Sequence, residues 1–122
     1  MSTVAGIGVD IVDIAQMRSL LDGGSSTAFI EKTFSRGEID HAEGDAERFA
    51  SLFAAKEAAF KAFRTGWIDG QCVETTHEKD GAPVLRLHGQ LGTLAQEQGI
   101  AELWLSVSAT EHCAVAMVVV SR

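Results

Sequence analysis

The segment from residue 49 to residue 63 constrains the fold of this chain more than any other segment. It is rich in alanine and contains neither glycine nor proline, a composition with high helix propensity. At about 100° per residue, Glu57 and Lys61 lie one turn apart on one flank of this helix. Four aromatic residues at helical spacing form an apolar stripe beside them, namely Phe49, Phe53, Phe60 and Phe63. The segment therefore predicts a long, largely buried helix with an acidic and a basic side chain at its edge.

Glu57 and Lys61 have two interpretations. As an exposed ion pair on a helix they contribute only a few tenths of a kcal/mol and have no chemical role. As part of a site they need a partner, and the N-terminal segment offers one. Residues 4–12 are apolar and predict a buried strand, yet they include Asp10. A carboxylate inside an apolar strand costs several kcal/mol unless it is paired, hydrogen-bonded or bound to a cation.

Strand alternation puts Asp10 on the same face as Gly6, Gly8 and Val12. That face has small side chains and is open, as a ligand-binding surface is. The alternative is that Asp10 caps the helix that follows the strand. Asp13 is better placed for capping, because the helix is expected to begin at the next residue.

Asp10 and Glu57 come together if the long helix lays its phenylalanine stripe on the sheet that contains the first strand. Two carboxylates at such a seam repel each other unless a proton or a cation lies between them. A few oxygen ligands with room for water and phosphate suit Mg²⁺, and Lys61 would place a positive charge beside the metal. This arrangement is typical of phosphoryl transfer from a pyrophosphate, although the two carboxylates could also meet by structural accident.

The rest of the chain predicts a single α+β domain over residues 1–122. A mostly antiparallel sheet is expected to pack against the long central helix and several shorter helices. Capping residues are expected at Asp13, at Asp45 and in a Ser35–Glu38 capping box, with Gly66 closing the long helix. The predicted helices span residues 14–21, 26–32, 36–43, 46–64 and 89–98, and the predicted strands span 4–12, 71–77, 83–87, 102–108 and 114–120.

Composition excludes some classes of function. The net charge of −7 argues against a general nucleic-acid binder, and the sequence has no apolar run of about 20 residues and no evident signal peptide. Cys72 and Cys113 are far apart and not at a metal-binding spacing, so buried thiols in a reducing cytoplasm are expected.

A few other residues have structural interpretations. Lys56 falls within the phenylalanine stripe and is expected to extend along the apolar surface to solvent. His41 and His77 have no visible partner and are expected to be solvated. Trp67 and Trp104 are expected in the core or at a subunit interface.

Two motifs carry a resemblance to a known family. Gly-Ile-Gly-Val-Asp-Ile-Val at residues 6–12 and Phe-Ala-Ala-Lys-Glu-Ala at residues 53–58, with Lys61 following, resemble the AcpS-type 4′-phosphopantetheinyl transferases, the holo-acyl-carrier-protein synthases. Ser106 and Ser108 match the serines of a C-terminal motif of that family. The similarity extends over nearly the whole chain.

The resemblance implies a specific reaction. Members of this family move the phosphopantetheine arm of coenzyme A to a serine of apo acyl carrier protein, in fatty-acid or polyketide biosynthesis, and release adenosine 3′,5′-bisphosphate. By resemblance, Asp10 and Glu57 bind Mg²⁺, Glu57 or a water it holds deprotonates the serine, and Lys61 neutralises phosphate charge. The family also implies a homotrimer with coenzyme A between neighbouring subunits.

The chain departs from the family pattern at several positions. Leu52 replaces an arginine, and Leu105, Ala109 and Thr110 replace a histidine and a His-Asp pair. Arg64 stands where the family has glycine. Arg48 and Arg64 are therefore candidates for binding the phosphates of coenzyme A, together with Lys61, Ser106 and Ser108, because an arginine fork binds phosphate in bidentate fashion.

The same departures leave two alternatives to an active transferase. One is a non-catalytic protein that binds carrier proteins or assembles with a synthase. The other is an enzyme whose ligand has changed to an acyl-coenzyme A. The family has a basic residue on the helix after the first strand that receives the acidic carrier protein, and by this resemblance Arg18 is the candidate for that role.

Overall fold

The computed structural model describes residues 3–122. The elements follow in the order β1 (Val4–Asp13), α1 (Ile14–Asp22), α2 (Ser26–Thr33), α3 (Arg36–Ala42), α4 (Ala46–Ala62), a 3-10 turn (Gly70–Cys72), β2 (Val73–His77), β3 (Pro83–Leu87), α5 (Gly89–Glu97), β4 (Glu102–Ala109) and β5 (Cys113–Ser121). All the predicted helices and strands are present. β2 begins later than predicted because the 3-10 turn occupies residues 70–72. Within residues 3–122, no helix combines the length and apolarity needed to cross a membrane.

The α+β architecture is confirmed, with the strands divided between two sheets. β1, β5 and β4 form an antiparallel sheet in that order, and β2 and β3 form a separate antiparallel hairpin. β5 is therefore the central strand, which explains its nearly continuous apolar sequence. β1 and β4 lie at opposite edges of the sheet, and α4 packs across one face between them.

The N-terminal caps of the helices are those that the sequence predicts. Asp13 accepts a hydrogen bond from the Gln16 amide, and Asp45 accepts one from the Arg48 amide. Ser35 and Glu38 form the reciprocal capping box of α3.

The predicted closure of α4 by Gly66 is wrong, because the helix ends at Ala62 and Arg64 takes the closing position instead. Arg64 has the left-handed backbone conformation, with φ of 60°. The Thr65 amide donates to the Phe60 carbonyl and the Arg64 amide donates to the Lys61 carbonyl, the hydrogen-bond pattern of a Schellman cap. An arginine thus occupies a position that favours glycine.

The face of α4 that meets β1 is made of alanines, whereas the phenylalanines share core clusters with residues of β5 in the same sheet. A Cβ atom built on Gly8 would lie 1.9 Å from the Ala58 carbonyl oxygen, and one built on Gly6 would lie 1.9 Å from that of Ala62. The backbones of strand and helix therefore touch, which only glycine on the strand permits. Small residues on both sides bring the flank of α4 close to Asp10.

Three phenylalanines of the stripe also contact other aromatic residues. Phe53 stacks on Trp67 with ring centroids 5.2 Å apart and also approaches Phe29 at 6.2 Å. Phe60 contacts the other side of Trp67, and Phe49 packs on Phe34 at 4.9 Å. Trp67 therefore belongs to the aromatic cluster beside α4, but it is 40% exposed and lies at the surface rather than in the core.

The outer face of the three-stranded sheet remains exposed in one chain. Ile7, Val9 and Ile11 of β1 are 61%, 55% and 65% exposed, and Met117 of β5 and Trp104 of β4 are nearly half exposed. The strand register brings Val9 beside Met117 and Trp104 beside Val119 on this face. We call this surface of Ile7, Val9, Ile11, Trp104 and Met117 the outer apolar face.

Candidate functional site

Lys61 of α4 contacts β1 at Asp10. Its Nζ atom donates hydrogen bonds to Asp10 Oδ1 and to the Val9 carbonyl, both at 3.1 Å. The Asp10 side chain is 17% exposed and that of Lys61 is 53% exposed, so the pair opens to solvent at one side. The expected proximity of Lys61 to Asp10 is therefore present in the structure.

Glu57 lies one turn before Lys61, also where α4 meets β1. We call this site of Asp10, Glu57 and Lys61 the acidic seam. Partial burial raises the pKa of its carboxyl above the usual range, the negative charge of Asp10 raises it further, and Lys61 opposes both effects. The Glu57 carboxyl therefore lies within the repulsion of the Asp10 carboxylate. A cation between them would relieve this repulsion.

The donor set at this seam is small. Within residues 3–122, no cluster of three or more His, Cys, Asp or Glu side chains is arranged to hold a metal. Asp10 and Glu57 could provide carboxylate oxygens to a cation, with its other positions open to water or a substrate. Mg²⁺ prefers such a site, with one or two carboxylates completed by water and phosphate.

Lys56, the neighbour of Glu57 in sequence, does not extend to solvent, and this prediction is wrong. Both Lys56 and Glu38 are fully buried, with Lys56 Nζ 2.7 Å from Glu38 Oε1. The same ammonium donates to the carbonyls of Gly70, at 2.9 Å, and Val73. Burial lowers the pKa of Lys56, and the Glu38 carboxylate opposes that shift.

Glu38 completes this buried network. Its Oε1 accepts the Ser35 amide at 2.9 Å and its Oε2 accepts the Thr75 amide at 3.0 Å. One ion pair therefore ties the start of α3, the 3-10 turn, β2 and the middle of α4 together. Because Glu57 follows Lys56, the network also fixes the rotation of α4 that presents Glu57 to β1.

A second concave site lies on the other flank of α4. A pocket of about 230 Å³ is bounded by the end of α3, the first half of α4, the β2–β3 hairpin and β4. Its lining residues are His41, Arg48, Ser51, Leu52, Ala55, Thr75, His77, Gly81, Pro83 and Val107. We call it the hairpin pocket. Its α4 residues point about 150° away from Glu57 and Lys61 around the helix axis.

Arg48 is at the rim of the hairpin pocket. Its guanidinium donates to the His41 carbonyl at 3.1 Å and lies 3.5 Å from a Glu43 carboxylate oxygen. Leu52, where the related family has arginine, is buried and contributes apolar surface to the same pocket.

The other residues predicted to bind coenzyme A are dispersed in one chain. Arg64 lines a cleft of about 600 Å³ with Arg122, Ala5 and Thr65, near the start of β1. Ser106 and Ser108 are exposed, and the inward packing of Leu105 and Val107 leaves both serines on the side of the outer apolar face. Of the predicted residues, the fold therefore brings together Asp10, Glu57 and Lys61, while the others lie elsewhere.

Two side-chain pairs in the structure were not predicted from the sequence. The Glu38–Lys56 pair had one signal, since a lysine within an apolar stripe needs a buried partner when it cannot reach solvent. The second is a stacked pair of His41 and His77, with ring centroids 3.9 Å apart. No local pattern links these histidines, which are brought together by the packing of α3 against β2.

Comparison with known proteins identifies the family. The 4′-phosphopantetheinyl transferase superfamily matches residues 6–116. A holo-[acyl-carrier-protein] synthase of Geotalea daltonii is 35% identical over 125 residues, which cover 98% of this chain and 99% of that protein.

Solved structures agree with this relationship. The fold is similar to holo-[acyl-carrier-protein] synthase of Neisseria meningitidis, with a TM-score of 0.89, 28% identity and coverage of 98% of this chain and 100% of that one. It is also similar to the Helicobacter pylori synthase in complex with coenzyme A, with a TM-score of 0.85, 28% identity and coverage of 93% and 98%. The chain therefore belongs to the 4′-phosphopantetheinyl transferase superfamily.

Proposed function

We propose that this protein transfers the 4′-phosphopantetheine arm of coenzyme A to a serine of apo acyl carrier protein. The observation that carries the proposal is the convergence of Asp10, Glu57 and Lys61 where β1 meets α4. The similar proteins are holo-[acyl-carrier-protein] synthases, and the Helicobacter pylori structure is a complex with coenzyme A.

Mg²⁺ fits the residues at this seam. Asp10 and Glu57 would bind it, because their oxygens are hard ligands and their mutual repulsion favours a cation. When bound, the metal would neutralise the charge that develops on the diphosphate of coenzyme A during transfer.

The side chains would supply positioning and proton transfer. Lys61 would leave Asp10 for a phosphate oxygen, since its side chain is half exposed and long enough to move. The serine oxygen attacks the phosphorus that bears the pantetheine arm, and the bond from that phosphorus to the oxygen of the adenosine-side phosphate breaks. The serine proton passes to Glu57, directly or through a water, and a raised pKa suits that carboxylate to hold it.

The active form is proposed to be a homotrimer with coenzyme A bound between neighbouring copies. Three observations support it. The outer apolar face would be covered, and Ser106 and Ser108 lie on that side of the sheet. Asp10 and the hairpin pocket lie on opposite flanks of α4, so one nucleotide would contact both more readily across two copies. Head-to-tail contact of two different flanks closes into a ring when the rotation between copies divides a full turn, and a third of a turn gives a trimer.

The carrier protein is proposed to dock beside the acidic seam. α1 begins directly after β1, and its Arg18 is exposed, so an acidic carrier would find one positive charge near Asp10. A cytoplasmic location is proposed because Cys72 and Cys113 are both free thiols.

Mass spectrometry of apo acyl carrier protein tests the proposed reaction. After incubation with coenzyme A, Mg²⁺ and this protein, the carrier is expected to gain the mass of the phosphopantetheine arm. Asp10→Ala and Glu57→Ala are expected to abolish the gain, while Glu47→Gln, an exposed carboxylate on the same helix, leaves it unchanged. A carrier that stays unmodified with the wild-type protein contradicts the proposal.

The hairpin pocket gives a specific reason to keep the two alternative functions. Leu52 makes this pocket less positive than an arginine would, and each lost charge-assisted contact costs about 1.5–3 kcal/mol of binding. Calorimetry separates the alternatives. An assembly protein would bind no coenzyme A, and an enzyme with a changed ligand would bind an acyl-coenzyme A tightly and form no product with coenzyme A itself.

A further inference from the structure

Two histidines stack at the hairpin pocket without a role in the chemistry at Asp10. The ring centroids of His41 and His77 are 3.9 Å apart, and the ring planes differ by 17°. Both residues line the pocket, and both are partly exposed to solvent. Arg48 is held beside them, since its guanidinium donates to the carbonyl of His41. Three nitrogen-rich side chains therefore share one rim.

Charged groups lie on each element around this pair. On α4 the charged group is Arg48, at the end of α3 it is Glu43, and the hairpin turn carries Glu78, Lys79 and Asp80. Partial burial lowers the pKa of His77, and proximity to His41 lowers it further. Both effects disfavour the protonated form of His77 in the free protein.

Coenzyme A carries a phosphate for which the acidic seam provides no partner. Two of its three phosphates form the diphosphate, which reacts at the seam. The third is on the ribose, beside the adenine. The hairpin pocket offers that end of the molecule an apolar floor from Leu52, Ala55, Pro83 and Val107, with nitrogen donors at the rim.

We propose that His41, His77 and Arg48 bind the 3′-phosphate of coenzyme A, and that this binding adds a proton to the histidine pair. The inference rests on the proposed function, because it takes coenzyme A as the ligand. It also explains how the pocket tolerates Leu52, since a protonated imidazole supplies positive charge that the chain lacks at that position.

The direction of the pH dependence follows from linkage. A phosphate dianion beside the pair favours the protonated form, so the complex binds more protons than the free protein. Affinity therefore rises as the pH falls towards the range in which the free pair also becomes protonated. Protonation of the phosphate itself works in the opposite sense near pH 6, so the measurement belongs above about pH 6.5.

Calorimetric titration with coenzyme A and with dephospho-coenzyme A, which lacks the 3′-phosphate, tests the inference. Coenzyme A is expected to bind about three- to tenfold more tightly near pH 6.5 than near pH 8.5, because one unit of pKa shift corresponds to tenfold in affinity. In buffers of different ionisation enthalpy, the heats are expected to show net proton uptake. Dephospho-coenzyme A is expected to show neither effect, and this comparison needs no variant.

Variants assign the effect to the pair. His77→Gln and His41→Gln are expected to remove most of the pH dependence, whereas His112→Gln, on the turn before β5, keeps it. The inference is overturned if both ligands show the same pH dependence, if His77→Gln retains it, or if coenzyme A binds at neither pH. Phosphopantetheine transfer that persists while the pH dependence is absent would refute only this inference and leave the proposed reaction intact.

Discussion

At the scale of single residues, the proximity of Asp10, Glu57 and Lys61 could be anticipated, and the surroundings of Lys56 could not. An aspartate inside an apolar strand is costly and therefore informative without any structure. Lys56 was expected to reach solvent but is buried, because the sequence alone does not distinguish an exposed lysine from a buried one. Its burial depends on Glu38, which lies in a different helix and which the sequence marks only as a capping residue.

Lys56→Met is expected to destabilise the protein by about 3–5 kcal/mol, because it leaves the buried Glu38 carboxylate without its partner. Lys56→Met with Glu38→Gln is expected to recover part of the loss, since the glutamine removes the unpaired charge and still accepts hydrogen bonds. Urea unfolding at fixed protein concentration measures both. Lys79→Met, on the exposed hairpin turn, serves as the control. A loss below about 1 kcal/mol for Lys56→Met would mean that the lysine reaches solvent after all.

At the scale of elements, helix and strand positions could be predicted from periodicity and caps, whereas the partner of each face could not. The phenylalanine stripe of α4 is apolar, and so is its alanine face. Periodicity alone therefore does not tell which of the two faces lies against β1. The glycines of β1 held that information, because a strand that carries Gly6 and Gly8 on one face accepts a helix backbone there. The end of α4 was misplaced because Arg64 takes a conformation that glycine usually takes.

Gly8→Ala is expected to separate α4 from β1. The new methyl group would lie 1.9 Å from the Ala58 carbonyl oxygen and 2.7 Å from the Ala62 nitrogen, both backbone atoms that cannot move alone. We expect a loss of about 3 kcal/mol or more in unfolding free energy, together with lower transfer activity in the fraction that folds.

Gly92→Ala is the matched control for this substitution. Its new methyl group would meet the Leu87 carbonyl oxygen at an ordinary 3.5 Å, inside helix α5. Removing a glycine from a helix interior is expected to stabilise by about 0.5–1 kcal/mol. Equal effects of Gly8→Ala and Gly92→Ala would contradict the close contact between α4 and β1.

At the scale of the whole molecule, the α+β class could be predicted from the order of elements, whereas the exposed sheet face became visible only in the structure. Alternation along β1 predicted one face for Ile7, Val9 and Ile11, but the sequence did not indicate that no helix of the same chain covers them. A contiguous exposed apolar surface of this kind is typical of an interaction site.

Val9→Lys is expected to convert the proposed homotrimer into single chains and to abolish transfer with it, because a charge would be placed in the centre of the outer apolar face. Light scattering coupled to size-exclusion chromatography measures the mass. Leu20→Lys, on the exposed side of α1, should leave both mass and activity unchanged. Active single chains, or an assembly that survives Val9→Lys, would refute the proposed arrangement.

A mixture of two inactive variants would locate the site between copies. Asp10→Ala damages one flank of α4, and Arg48→Glu is expected to damage the hairpin pocket on the other. In an equal mixture that has exchanged subunits, about a quarter of the head-to-tail interfaces combine two intact flanks. Recovery of activity to that fraction is expected, and no recovery would argue for a site within one copy.

Asp10 and Glu57 are proposed to hold Mg²⁺ against the diphosphate of coenzyme A. Calorimetric titration of coenzyme A with and without Mg²⁺, for the wild type and for Asp10→Asn combined with Glu57→Gln, measures this most directly. Mg²⁺ is expected to tighten binding to the wild type by about tenfold or more, in line with a charge-assisted contact, and to leave binding to the double variant unchanged. An equal effect of Mg²⁺ on both proteins would contradict the claim.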